Sequence, residues 1–173
     1  MNRDIKLHLE SLIKRSDNLV NEACLTENEP YLTEIDIQFV EKELGVILSP
    51  AFRKLNAIFR YDYSSAFEFL NFQTKTEYSV IGETLKLRQF CNLPTNYVVL
   101  AIQDDVTAVL LETASGANKE NKVFFCTIYD LQNVYENGEM VEDTRIFPTF
   151  TDFFRYLLDE EEKQHNKERN HNT

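Results

Sequence analysis

Apolar residues recur at helical spacing from the first turn of the chain. Ile5, Leu9, Leu12, Ile13, Val20 and Cys24 fall near one stripe behind Asp4, which predicts an amphipathic helix over residues 4–25. The polar stretch Thr26-Glu27-Asn28-Glu29-Pro30 ends it. Thr33, with Asp36 three residues on, then has the form of a capping box, and Ile37, Val40 and Leu44 beat along one face until Gly45 stops the helix. Ser49-Pro50 supplies an N-cap and a proline at the first helical position. Phe52, Leu55 and Phe59 line the third helix, which should end near Arg60.

The period then changes. Residues 67–72 alternate as a half-buried strand would, 77–81 read as a further short strand, and 84–91 as a helical turn before Leu93-Pro94. Two strong strand patterns follow, 97–102 and 106–113, separated by Gln103-Asp104-Asp105, with a third over 122–129. Asn137-Gly138 has the composition of a hairpin turn between 134–136 and 139–141. Thr149 and Asp152 cap a last helix whose apolar face is Phe150, Phe153, Phe154, Leu157 and Leu158, and residues 159–173 read as a charged, disordered tail. Helices, then an antiparallel meander, then a closing helix make an α+β fold, and without repeats or linkers the count is a single domain.

Composition sharpens this picture in a few places. Thirteen Phe and eight Tyr supply core material for one domain of 173 residues. No apolar run approaches the roughly 20 residues that span a bilayer, and charges interrupt the N-terminus, so neither a membrane helix nor a secretory signal is expected. Three cysteines without paired spacing point to a reducing cytosol rather than a disulfide or zinc framework.

Charge changes the picture most. Eighteen Lys and Arg against twenty-nine Asp and Glu set a formal net charge of −11, which argues against nucleic acid as a partner. Residues 159–173 hold five acids and three bases, so the preceding 158 keep −9. Ten acids against four bases lie between 99 and 158, leaving the meander half with −6. Two readings of this excess stand together: solubility, and a face complementary to a basic partner.

Candidate chemistry is sparse. His165 and His171 lie in the tail, so His8 alone would have to serve a Ser-His-Asp or Cys-His site, and no two metal ligands share a short motif. Gly45, Gly82, Gly116 and Gly138 stand singly, which leaves no phosphate loop. Asp104-Asp105 is the nearest approach to a carboxylate pair, read as a turn, a binding surface or acid-base chemistry. No enzyme, cofactor or metal is expected.

The order of parts resembles a known family. Thr33 to Arg53, with Glu41-Lys42-Glu43-Leu44-Gly45 leading into Leu48-Ser49-Pro50-Ala51-Phe52, is similar to the opening of the SMI1/KNR4 (SUKH) superfamily. There a helix ending in Glu-x-x-Leu-Gly precedes a Leu-Pro-x-x-Tyr phrase. Asn92 to Ala101 resembles its strand entry, Val123-Phe124-Phe125 its later strand, and Phe150-Thr151-Asp152-Phe153-Phe154 its closing helix. The likeness covers residues 31–158, with residues 1–30 as a helical extension. It departs at Ala57 to Tyr63, where family members often carry Asn-Gly-Gly.

The resemblance implies a non-catalytic domain and, for bacterial members, an immunity protein that neutralises a cognate polymorphic toxin, commonly a nuclease or deaminase. Asp104, Asp105, Glu112, Glu136 and Glu139, with Tyr135 as an aromatic anchor, are then the residues expected to occlude a basic active site. The alternative that the family implies is a regulator or scaffold in growth or cell-wall control, with no toxin.

Overall fold

The computed structural model describes residues 32–56, 69–103, 106–113, 121–130 and 144–171. The helix expected over 4–25, the Asn137-Gly138 hairpin and the end of the third helix lie outside them.

Helix α1 (Glu34–Leu44) begins with the capping box that the sequence dictates. The Asp36 amide donates to the Thr33 hydroxyl at 3.3 Å, and the Thr33 amide donates to the Asp36 carboxylate at 2.8 Å. Gly45 closes it in the left-handed region at φ 67°, where a side chain would be strained. Helix α2 (Pro50–Asn56) starts on Ser49, whose hydroxyl accepts from the Phe52 amide at 3.2 Å.

Two corrections fall between α2 and the sheet. The described part of the 67–72 segment forms only isolated bridges, Phe69 to Ala101 and Asn71 to Ser79. The Asn71 side chain accepts from the Gln73 amide at 2.6 Å and bends the chain away from a ladder. Residues 77–81 are no strand: Ser79 caps helix α3 (Val80–Phe90), accepting from the Gly82 amide at 2.9 Å. Val80, Ile81, Thr84 and Leu87 form its buried stripe, with Glu83 buried beside them, and the Thr84 hydroxyl accepts from the Val99 amide at 2.9 Å.

Strands β1 (Tyr97–Gln103), β2 (Thr107–Glu112), β3 (Val123–Thr127) and β4 (Arg145–Phe147) pair antiparallel in that order. The register shifts between Val99 and Ala101, a bulge that turns Leu100 and Ala101 toward the same cluster. Four consecutive buried positions in both β1 and β2 show that the sheet is covered on two faces.

The first face is closed. Val98, Leu100, Val109, Leu111 and Val123 meet α1, α2 and helix α4 (Phe150–His171) in one large cluster. Its aromatic spine runs from Phe72 to Phe52 (6.1 Å between ring centroids), Phe150 (4.8 Å), Phe153 (6.0 Å) and Phe147 (5.3 Å). Buried Asn121 locks the layers together, accepting from the Ser49 amide at 3.2 Å and donating to the Glu112 carbonyl at 2.7 Å.

The second face carries Val99, Ala108, Leu110, Phe124 and Cys126, with Leu87 and Leu93 set against it. Helix α4 continues to His171, through residues expected to form a disordered tail. That segment lacks Gly and Pro, is rich in Glu, and pairs Lys163 with Glu160 at 2.7 Å, all of which favour helix.

Candidate partner-binding surface

Helix α3 packs on the second face, whose strand residues Val99, Ala108, Leu110, Phe124 and Cys126 are buried, and does not fill the space at its edge. A cleft of about 580 Å³ remains between it, the 69–70 segment and the strand ends, lined by Leu70, Leu87, Phe90, Ile102 and Ile128 among others. Tyr78 is 78% exposed and Phe90 72%, and both line the cleft. Tyr129, 81% exposed, follows Ile128 in the chain. Two large aromatic side chains, Tyr78 and Phe90, held in water around one apolar hollow are unlike scattered surface hydrophobes.

The rim is built, not incidental. A Cβ on Gly82 would stand 2.0 Å from the Thr76 carbonyl oxygen, so the turn carrying Glu77 and Tyr78 lies directly on α3 only because that residue is glycine. The Ser79 hydroxyl ties the same turn down by donating to the Thr76 carbonyl at 2.7 Å. At the far end of α3, the Arg88 guanidinium donates to Leu44 at the α1 C-terminus (3.0 Å) and to the Thr95 carbonyl (2.7 Å). It thereby fixes α3 against α1 and the entry to β1.

Charge is sparse but placed. Glu83 is 5% exposed and accepts from Lys86 at 3.2 Å, and Glu77 also lines the cleft. The hydrogen bond to Glu83 raises the Lys86 ammonium above its ordinary value, with Glu77 adding to the field. Behind the wall, burial pushes the Tyr97 phenol and the Cys126 thiol each up to about 12, so both stay protonated and inert near neutrality. Among the described residues no group of three or more His, Cys, Asp and Glu could hold a metal ion.

Of the residues expected to bind a partner, Asp104, Asp105, Tyr135, Glu136 and Glu139 lie outside the described residues. Their flanks are described. Gln103 pairs with Thr107, and Thr107 with Thr127, so the chain leaves for 104–105 and for 131–143 at one end of the sheet. Glu112 pairs with Tyr97 at the opposite end, about 17 Å along the strand at roughly 3.3 Å per residue. The topology thus separates Glu112 from the anchors of the other five. The cleft belongs to the anchor end, since Ile102 precedes Gln103 and Ile128 follows Thr127.

Tyr78, Glu83, Phe90 and Tyr129 were not among the expected site residues. A signal was present: Val80, Ile81, Thr84 and Leu87 have helical spacing behind Ser79, which leaves Phe90 off the buried stripe. No protein-family model matches the chain, and no curated protein matches it. No helix among the described residues is long and apolar enough to cross a membrane.

Proposed function

We propose that this chain is a non-catalytic protein-binding domain of the SMI1/KNR4 type, acting in the cytosol as an immunity protein. Its partner is a cognate toxin domain, a nuclease or deaminase, whose basic active site it occludes. The observation that supports this reading best is the cleft, with exposed Tyr78 and Phe90 lining it, at the sheet end where the acidic connections are anchored. Tyrosine and phenylalanine rims of this kind suit the centre of an interface, and acids beside them suit steering toward a positive cleft. The net charge of −11 supports the same choice of partner.

The test joins genetics to charge. The adjacent reading frame should encode a large secreted protein with a basic C-terminal domain, and co-expression of this chain should protect cells from that domain. Reversing Asp104, Asp105 and Glu136 together to Lys should cut the association rate about tenfold or more and flatten its salt dependence. Affinity and salt dependence left unchanged would contradict occlusion by an acidic surface.

A further inference from the structure

The cleft also indicates what kind of surface it receives. Glu83 is almost wholly buried, yet the cation that the structure places on it is Lys86, one turn along the same helix and nearly half exposed. A neighbour at that spacing on a flexible stem is a replaceable partner. Glu77 lines the same space, so a second carboxylate acts on the ammonium that Glu83 holds, beside an apolar floor. A second copy of this chain would bring like charge to such a site, whereas a basic segment would bring the opposite sign.

We propose that a basic amphipathic segment of the partner protein fills this cleft. An apolar side chain enters between Leu87, Phe90, Ile102 and Ile128, while a neighbouring lysine or arginine takes the place of Lys86 on Glu83. This rests on the reading that the face binds a protein, and adds the chemistry of what is bound. Arginine is the better replacement, because its planar fork spans a carboxylate and stacks on Tyr78 or Phe90.

The probe is a helical peptide of 15 residues with leucine on one face and arginine on the other, compared with its glutamate counterpart, titrated into the full isotopically labelled chain. The arginine peptide should shift the side-chain signals of Leu87, Phe90, Ile102 and Ile128, and the glutamate peptide should not. Glu83→Gln, which keeps shape, and Glu77→Gln, on the rim, should weaken binding, the first by about tenfold or more. Lys86→Met should hold or tighten it.

Equal binding of the two peptides, shifts elsewhere, indifference to Glu83→Gln, or shifts that follow protein concentration alone would each overturn the proposal. If the arginine peptide is refused while Phe90→Ser still abolishes toxin neutralisation, the occupant is wrong and the protein-binding reading stands. If neutralisation survives Phe90→Ser as well, both fail.

Discussion

The two faces of the sheet are built from the same kinds of residue and end in opposite states. On the first, α1, α2 and α4, joined by Val80 and Ile81 at the start of α3, close the cluster, and Phe52, Phe150, Phe153 and Phe154 show no exposure. On the second, the strand residues are buried as well, but the edge beside α3 keeps a cleft with Tyr78 and Phe90 in water. Burial is the main stabilising term in a domain of this size, so the closed face accounts for stability. The open face retains apolar surface that folding did not use, and such surface is available to a partner.

That contrast can be broken first at the closed face. Phe150→Ala empties the junction of the aromatic spine and should cost about 3–5 kcal/mol in denaturant unfolding, among the largest single-residue losses in the molecule. A loss under about 1 kcal/mol would mean that the spine is not what holds the layers together.

Gly82→Ala comes next. The new Cβ meets the backbone carbonyl of Thr76, which cannot swing aside as a side-chain tip would, so a loss of roughly 1–3 kcal/mol is expected together with displacement of Tyr78. Wild-type stability and an unmoved rim would show that the turn does not rest on α3 as described.

A smaller effect sharpens the boundary between the faces. Burial raises the Cys126 thiol from 9.0 to about 12, so the folded state keeps a proton that the unfolded chain releases above pH 9. The contribution of this group to stability should therefore be constant below about pH 9 and fall as pH rises toward 12, by up to about 1.4 kcal/mol per pH unit. Tyr97, raised from 10.0 to about 12, joins above pH 10. Cys126→Ala should flatten the slope between pH 9 and 10, measured by denaturant titration at each pH. An unchanged slope would remove the thiol from the buried wall.

How much of this was legible in the sequence divides along the same line. The closed face was readable because its signals are local: the Thr33 and Asp36 box, Gly45, Ser49-Pro50, and Thr149, whose hydroxyl accepts from the Asp152 amide at 3.0 Å. The first three strands of the meander were readable from their β-branched and aromatic runs and lie within a residue or two of their expected ends, whereas β4, only three residues long, was not expected. The open face was not, since its wall depends on Gly82, which lets the Thr76 turn pack on α3, and on which side of α3 Phe90 falls. A short apolar run such as 77–81 fits strand and helix alike, and only the Ser79 cap decides between them. By their flanks Asp104 and Asp105 leave from the cleft end of the sheet, whereas Glu112 sits at the other because strand length, not charge, sets its place.

The central claim is that the open face binds and the closed face stabilises. It is tested most directly by the triple variant Tyr78→Ser, Phe90→Ser, Tyr129→Ser, measured for melting temperature and for toxin neutralisation in the same preparation. These exposed side chains should each change stability by no more than about 0.5 kcal/mol, so the melting temperature should stay close to that of the wild type while neutralisation is lost. Neutralisation retained by a folded triple variant would contradict the account.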